Sequence, residues 1–266
     1  KSGDRAVAEP NIVCGKCKYC RMSQRNFFCE NLEATGVTID GAFAEYVKVP
    51  EQNVYTIPEK LSLEEAALIE PLACIVRGLD NLKIPLGSSV AIVGAGPIGL
   101  LMTQVVKHYG ASKVFAIDPV DERLQLAKAL GADVIVNPNN QNSKDIVGEN
   151  TEGLGTDISI ECVGSSSAIE AALAVLRKAG KLLIFGVAPE HDIWHVKPFD
   201  LYNKEVSIFT SYRSPYTFQR AVGLASSGRL RLKPIISHVY GLDQASEAFN
   251  NLVMKKKGVI KTLLKP

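Results

Sequence analysis

The sequence of 266 residues has no apolar stretch long enough to cross a bilayer, which takes roughly 20 residues. No secretory leader opens it either, so the sequence predicts a cytoplasmic protein without a membrane partner. An excess of charge of one sign is also missing, because 30 basic residues oppose 28 acidic ones and leave a formal net charge of +2. That balance does not by itself indicate a nucleic-acid or membrane partner.

Aromatic residues are sparse, at 7% of the chain with a single Trp, and internal repeats and low-complexity segments are absent. The composition therefore excludes repeat arrays and disordered chains. The whole chain is 46% hydrophobic and 22% charged, as in a globular protein with a sizeable core. The length suits one large domain or two ordinary ones.

Cysteine is concentrated in one place, where Cys14, Cys17, Cys20 and Cys29 fall within sixteen residues. The spacing C-x2-C-x2-C-x8-C lets tight turns and a short loop bring four thiolates together. Four thiolates complete the tetrahedral coordination of Zn2+ and leave no open position, so we predict a closed, structural zinc site. Two disulfides are disfavoured because nothing indicates secretion. A redox C-x-x-C would need a strand before it and a helix after it, which this segment does not prepare.

Basic residues surround these cysteines and suggest a further interpretation, a zinc module that binds nucleic acid. They are Lys16, Lys18, Arg21 and Arg25. One basic lobe is more typical of a solvated face, and the chain lacks the interleaved aromatic residues on which bases stack. We therefore expect no nucleic-acid partner.

Strands alternate with helices from Ser88 onward. Short apolar runs predict strands at 90–93, 113–117, 133–136, 157–161 and 181–185. Helical patterns lie between them at 97–109, 121–130, 143–149 and 165–178. This alternation predicts a parallel sheet with right-handed crossovers. Before it, the period-two pattern of 41–49 predicts a strand.

A glycine-rich turn follows the first of these strands and opens the first helix. Gly94, Gly96 and Gly99 form the pattern G-x-G-x-x-G, in which the first glycine permits the tight turn, the second admits a pyrophosphate and the third lets helix and strand pack closely. The free N–H groups at the start of the helix favour the phosphate charge, and Pro97 suits the first helical turn. The segment predicts a dinucleotide site.

An acidic residue, Asp118, ends the next strand, where it can accept hydrogen bonds from the adenosine ribose hydroxyls. Its charge would repel a 2′-phosphate, which favours NAD over NADP. Arg123 is the one nearby base that could reverse this preference.

Further motifs extend along the chain. Besides the four cysteines and the glycine pattern, they lie at 41–47, 69–73, 157–164 and 180–187. Together they resemble the zinc-containing medium-chain dehydrogenases, specifically the sorbitol/polyol and threonine dehydrogenase branch, over essentially all of the chain.

The resemblance implies an α/β fold in two parts. One is a Rossmann doubly wound parallel sheet at 72–211. The other is a partial chaperonin-10-like (GroES-like) β domain, made of 1–71 with the zinc lobe and of the return segment 212–266. The implied reaction interconverts a secondary alcohol, a polyol such as sorbitol or L-threonine, and a ketone by hydride transfer to NAD. The family resemblance also implies a homo-oligomer, a dimer or tetramer.

Individual roles follow from the same resemblance. The implied cofactor contacts are Gly94, Gly96, Pro97, Ile98, Gly99, Asp118, Arg123, Val163, Phe185, Gly186, Val187, Ser211, Tyr212 and Arg213. Arg213 also resembles the arginine that approaches the substrate hydroxyls, although a solvated or phosphate-facing arginine is an alternative. Glu70 matches the glutamate beside the catalytic zinc, although a carboxylate favoured by a helix N-terminus competes with that role.

The family's other catalytic zinc ligands, a Cys and a Gly-His-Glu, lie upstream of the segment matched by 3–5. The sequence therefore predicts a form without them. Neither Cys74, expected in the core, nor Cys162, which lacks a histidine partner, replaces them. The alternative prediction is an inactive NAD- and zinc-binding fragment that serves as a scaffold or partner subunit.

Overall fold

The computed structural model describes residues 1–22 and 26–266, so Arg25 lies outside the described residues. The chain divides into two compact units, residues 1–77 with 213–266, and residues 78–212. The predicted limits at 71/72 and 211/212 stay predictions. Among the helices described, none combines the length and apolarity that crossing a membrane requires.

Helices are distributed over both units. The α-helices of the described ranges are α1 (Lys18–Arg21), α2 (Leu63–Ala66), α3 (Ile69–Leu82), α4 (Pro97–His108), α5 (Asp121–Ala129), α6 (Ser143–Glu149), α7 (Ser166–Ala174), α8 (Pro198–Lys204), α9 (Phe218–Ser226) and α10 (Ala245–Val253).

Strands form one large sheet and three two-stranded pairs in the described ranges. They are β1 (Ala6–Ala8), β2 (Asn11–Ile12), β3 (Glu33–Ala34), β4 (Val54–Thr56), β5 (Ser89–Val93), β6 (Lys113–Ile117), β7 (Val134–Val136), β8 (Thr156–Glu161), β9 (Leu176–Ile184), β10 (Ser207–Thr210), β11 (Ile236–Gly241) and β12 (Lys261–Lys265).

The large sheet belongs to the unit of residues 78–212 and has the order β10-β9-β8-β5-β6-β7, with every neighbouring pair parallel. Within this sheet the chain enters at the central strand β5 and adds β6 and β7 on one side. It then crosses to the other side of β5, where β8, β9 and β10 follow in order. This order confirms the predicted doubly wound α/β class. Its switch point lies between β5 and β8, where ligands bind beyond the carboxyl ends of such strands.

Strand β5 is buried on both faces, which explains its continuous apolar run. Ala91 and Val93 belong to the core cluster on one face, together with Ile169 of α7. On the opposite face, α4 approaches β5 so closely that a Cβ on Gly99 would lie 3.5 Å from the Cγ2 of Ile92. Helices therefore cover both sides of the sheet, as the βαβ pattern requires.

The predicted helix at 165–178 is wrong in its last part. Helix α7 ends at Ala174, and Leu176 begins β9 by pairing with Thr156. The register then shifts, because the next pair joins Ile158 to Lys181. Leu176 is only 4% exposed and packs in the core cluster, so tertiary burial and sheet pairing outweigh its local helical preference.

The other unit contains the antiparallel pairs β1–β4 and β2–β3 and the parallel pair β11–β12. The strand predicted at 41–49 is wrong, since the structure gives this segment no strand within the described ranges. Phe43 is 71% exposed and touches Phe249 edge-on at 5.8 Å between ring centroids, and Tyr46 is 90% exposed. A period-two pattern supplies side-chain alternation, but a strand also needs a neighbour for its backbone groups.

Candidate functional site

The four cysteine side chains converge as their spacing predicts. Their Sγ atoms all lie within 4.8 Å of one another, and those of Cys14 and Cys20 are 3.9 Å apart. Zn–S bonds of about 2.3 Å in a tetrahedron separate the sulfurs by about 3.8 Å. The four cysteines are free thiols. The geometry therefore fits a four-thiolate metal centre.

The electrostatics of this cluster also fit a cation. Backbone N–H groups of Lys16 and Cys17 lower the pKa of Cys14 to about 6. Desolvation, followed by hydrogen bonds with Cys17 and Cys29, raises the pKa of Cys20 to about 12. Four thiolates so close together repel one another unless a cation neutralises them, and Zn2+ supplies that charge.

A second site lies at the switch point of the sheet, where the carboxyl ends of three strands are joined by backbone hydrogen bonds. The N–H of Cys162 donates to the carbonyl of Val93 at 2.8 Å, and the N–H of Phe185 donates to the carbonyl of Glu161 at 3.0 Å. The turns that follow β5, β8 and β9 therefore meet in one place.

Glycines let these turns approach, and we call Gly94, Gly164 and Gly186 the glycine junction. Gly94 has φ +98°, and a Cβ there would lie 2.7 Å from the Cγ2 of Val163. Gly164 has φ +87°, and a Cβ there would lie 2.5 Å from the carbonyl oxygen of Val187. A Cβ on Gly186 would overlap the N of Gly164. Larger residues would push the three turns apart.

The start of α4 opens beside this junction. Gly96 is its N-cap and gives no side-chain hydrogen bond, Pro97 follows at the first helical position, and no atom lies within 4 Å of where a Cβ of Gly96 would point. A Cβ on Gly99 would overlap the carbonyl oxygen of Gly94. The N–H groups of this first turn therefore have no side-chain cap, and an anion can approach them. The site fits a pyrophosphate.

Asp118 stands just beyond β6, close to the same turn. One oxygen, Oδ2, accepts from the N–H of Ala95 at 2.7 Å, and Oδ1 accepts from the N–H of Val120 at 2.9 Å. The residue is only 4% exposed, so these bonds hold its carboxylate in one orientation. Each oxygen keeps a lone pair that a ribose hydroxyl can use. Arg123 lies in the first turn of α5 and is partly exposed.

The remaining predicted cofactor contacts of this unit also follow strand ends. Val163 and Val187 are 57% and 92% exposed, so they present apolar surface beside the junction. The ring of Phe185 packs under α3, where a Cβ on Gly78 would lie 3.1 Å from it. Ile98, in the first turn of α4, is partly exposed.

Two further predicted contacts, Ser211 and Tyr212, follow β10 directly, and Tyr212 is 51% exposed. Arg213 begins the return to the other unit and has a left-handed φ of +59°.

Glu70 lies in the first turn of α3 and is partly buried. The thiol of Cys74 donates to its Oε1 at 3.5 Å. Burial, and then the charge of Glu70, raise the pKa of Glu9 to about 7. Across residues 1–22 and 26–266, the four cysteines form the one group of three or more potential ligands. The described residues around Glu70 therefore do not build a three-ligand catalytic zinc site.

Two acidic residues near these sites were missed by sequence reasoning. Glu9 feels the charge of Glu70, although the two are far apart in the sequence. Glu161 ends β8 and is completely buried at the glycine junction. The signal for Glu161 was a charged residue at the end of an apolar strand before a glycine turn. Glu9 has no comparable local signal.

Comparison with known proteins gives matches over both units. The family model "Alcohol dehydrogenase GroES-like domain" matches residues 1–59, and the family model "Zinc-binding dehydrogenase" matches residues 97–227.

Relatives match over nearly the whole chain. A sorbitol dehydrogenase of Bacillus subtilis is 32% identical over 267 residues, which are 100% of this chain and 75% of that protein. An L-threonine 3-dehydrogenase of Caldanaerobacter subterraneus is 37% identical, over 98% of this chain and 75% of that protein. The crystal structure of a protein described as a zinc-binding dehydrogenase of Sinorhizobium meliloti, bound to NADP, superposes with a TM-score of 0.93 at 34% identity, over 99% of this chain and 77% of that one.

Proposed function

This chain belongs to the zinc-containing medium-chain dehydrogenase family, and from that premise we propose that it interconverts a secondary alcohol and a ketone with NAD. Membership makes it an alcohol oxidoreductase that uses zinc and a nicotinamide dinucleotide. The nucleotide preference, the substrate and the roles of individual residues are the parts that we propose.

The observation that carries the proposal is the crevice at the switch point. An uncapped helix N-terminus, a buried acidic residue at the end of the next strand and the glycine junction all lie in one unit at the carboxyl ends of parallel strands. Each feature serves a different part of a dinucleotide. Together they favour a dinucleotide site over a glycine-rich strand–helix turn that binds no ligand.

We assign the binding roles accordingly. The first turn of α4, with Gly96, holds the pyrophosphate, and Asp118 accepts hydrogen bonds from the adenosine ribose. Val163 and Val187 cover the nicotinamide half with apolar surface and exclude water from the reacting carbon. The bound nicotinamide ring supplies the acceptor for the hydride of the alcohol.

The four cysteines hold a structural zinc. All four positions of the metal are taken by thiolates, so it has no place for a substrate. Its contribution is to stabilise the loop between β2 and β3, where the described residues form few regular elements.

Glu70 is the residue of this chain that matches the family's glutamate beside the catalytic zinc. The described residues do not assemble three ligands there, so the roles of Glu70 and Arg213 are assigned toward the substrate alone. We assign Glu70 a place beside the reacting alcohol and Arg213 an approach to the substrate hydroxyls. The named relatives include a sorbitol dehydrogenase and an L-threonine 3-dehydrogenase, so we propose polyols and L-threonine as the substrate classes.

The preference for NAD rests on the charge of Asp118, which disfavours a 2′-phosphate. A related structure is bound to NADP, so both nucleotides belong in the assay. We also propose a cytoplasmic homo-oligomer, a dimer or tetramer. Strand β10 supports it as an outer strand of the large sheet, with Ile208 38% exposed.

The test measures NADH and NADPH formation by the purified protein with sorbitol, L-threonine and a simple secondary alcohol, together with its zinc content. We expect turnover with NAD on at least one substrate, and at least one zinc per chain. Absence of turnover, in protein that binds NADH and one zinc, would contradict the enzymatic proposal and favour a scaffold or partner subunit. Failure to bind NADH would overturn the assignment of the crevice itself.

A further inference from the structure

Glu161 is a completely buried acidic residue whose place at the end of β8 the roles above leave unexplained. Its Oε1 accepts hydrogen bonds from the N–H of Val163 at 2.5 Å and from the N–H of Gly164 at 2.6 Å. The side chain therefore folds back onto the turn that follows its own strand. Hydrogen bonds to a charged acceptor are stronger than those between neutral groups, so this turn has little freedom.

The backbone of the same residue holds the neighbouring turn. The carbonyl oxygen of Glu161 accepts from the N–H groups of Phe185 and Gly186, both at 3.0 Å. One residue thus binds four N–H groups, two from the turn after β8 and two from the turn after β9. Those two turns carry Val163 and Val187, the exposed apolar residues assigned to the nicotinamide half.

The second carboxylate oxygen lies close to Gly186, whose missing Cβ would also overlap the backbone of Gly164. Oε2 of Glu161 is buried and accepts no hydrogen bond from any described residue. A Cβ on Gly186 would lie 2.8 Å from it, closer than such atoms approach. The carboxylate therefore fits directly beneath the turn after β9. Burying an oxygen without a hydrogen bond costs free energy. The packing around Glu161 must therefore hold this oxygen in place.

We propose that Glu161 is a positioning residue for the nicotinamide half of the cofactor. It holds the turns after β8 and β9 at the separation that admits the ring, whereas Asp118 and the start of α4 hold the adenosine and pyrophosphate half. This inference rests on the proposed function. Its specific consequence is that loss of the carboxylate weakens contacts to nicotinamide and leaves contacts to ADP-ribose intact.

The experiment compares two ligands that differ only in the nicotinamide. Dissociation constants of NADH and of ADP-ribose are measured for the wild type, for Glu161→Ala and for Glu161→Gln. We expect Glu161→Ala to weaken NADH binding about tenfold, because two charge-assisted hydrogen bonds are lost, and to leave ADP-ribose binding within about twofold. Glu161→Gln keeps an acceptor oxygen for the same N–H groups and should recover most of the NADH affinity.

The matched control is Asp157→Asn, at the opposite end of the same strand. Its Oδ2 accepts from the N–H of Ser89 at 2.7 Å, so it also joins neighbouring strands, but far along β8 from the junction. We expect it to lower the melting temperature and to leave the ratio of the two dissociation constants unchanged. If Glu161→Ala does not fold, Glu161→Asp, too short to reach both N–H groups, takes its place in the measurement.

The outcomes separate the inference from the function on which it rests. If the wild type binds neither ligand, the proposed function fails. If the wild type binds both and the Glu161 variants lose both equally, or neither, the function stands and the positioning role is overturned. A selective loss of NADH, with partial rescue by Gln, supports it, because a general loss of stability would not discriminate between the two ligands.

Discussion

The four-cysteine lobe and the glycine junction are both compact sites built from short turns, but they are held together in opposite ways. The lobe brings four ionisable sulfurs within 4.8 Å of one another, surrounded by small two-stranded sheets and short helices. The junction brings three backbone turns together through glycines and strand-end hydrogen bonds, beside a six-stranded sheet.

The difference concerns where the stabilising free energy comes from. In the lobe we expect it to come chiefly from metal–thiolate bonds, since close thiolates repel one another without a cation. In the junction it comes from close packing and backbone hydrogen bonds, which need no ligand. The lobe should therefore be sensitive to its metal, whereas the junction should be sensitive to a single added methyl group.

The largest effect is expected for Cys17→Ser, which removes one of the four zinc ligands. Structural zinc sites contribute on the order of 10 kcal/mol to folding, so the lobe should lose its zinc and its amide protection. Zinc analysis and hydrogen exchange measure both, and exchange at β5 and β6 should change far less. Cys162→Ser is the control and should leave the zinc content unchanged. A variant at position 17 that keeps its zinc would refute the four-thiolate site.

The next effect is expected for Gly99→Ala in α4, which packs against Gly94 of the junction. The added Cβ would overlap the carbonyl oxygen of Gly94, so the start of α4 must shift, at a cost of about 3 kcal/mol. Chemical denaturation measures that cost. Gly223→Ala in α9 is the control, because no neighbour lies within 4 Å of its Cβ and alanine should stabilise that helix by up to about 1 kcal/mol. Equal effects of the two changes would contradict the close approach.

A smaller effect is expected for Asp118→Ala, which tests the charge at the edge of the crevice. Without the carboxylate, the 2′-phosphate of NADP is no longer repelled, and the ratio of NADP to NAD affinity should rise roughly tenfold, about 1.4 kcal/mol. Titration with both nucleotides measures the ratio. Asp121→Asn, three positions later on α5, is the control. An unchanged ratio in Asp118→Ala would show that other groups set the preference.

The smallest effect concerns the amino end of β8, away from both sites. Desolvation opposes the charged form of Asp157, but hydrogen bonds from Ser89 and Arg177 outweigh it and hold its pKa below 3.8. Because the folded-state pKa is depressed, the stabilisation is present above pH 3.8 and is lost as the pH falls through the lower folded value. Asp157→Asn should therefore cost about 1 kcal/mol at pH 7, after allowance for solvent screening, and progressively less as the pH falls below 3.8.

Thermal unfolding of both proteins over a series of pH values from 7 downward measures this difference. Glu64→Gln serves as the control, since the Glu64–Lys265 pair, 2.9 Å apart, lies at the surface and should not change the melting temperature measurably. A cost of Asp157→Asn that does not fall as the pH is lowered would mean that packing, and not charge, is what the substitution removes.

Much of the fold could be predicted because the sheet repeats one local pattern. Each apolar run followed by a helical pattern specifies one βα step, and the crossover rule then predicts parallel strands with right-handed connections. The prediction failed where pairing with a residue far away in the sequence decides the secondary structure. Leu176 looks helical from its neighbours, yet it pairs with Thr156. The segment 41–49 alternates like a strand, yet the structure gives it no strand.

The candidate sites divide along the same line. The cysteine cluster and the glycine pattern each lie within a short segment, so their spacing alone indicates the geometry. Glu161 and Glu9 were missed because their importance depends on what is packed against them. Glu161 is important because the turn after β9 crosses directly above it.

The sequence by itself determined the family and the parallel sheet, and it predicted that four cysteines would converge and that a glycine turn would open α4. All of these depend on local periodicity or on spacing over a few residues. Only the tertiary structure decided the register shift in β9, the effect of the charge of Glu70 on the pKa of Glu9 and the burial of Glu161 beneath two turns. The physical reason is that burial and the meeting of strand ends are properties of the assembled sheet. Cysteines that lie close along the chain indicate a metal site from their spacing alone. A carboxylate that binds two turns is recognised only once both turns are in place.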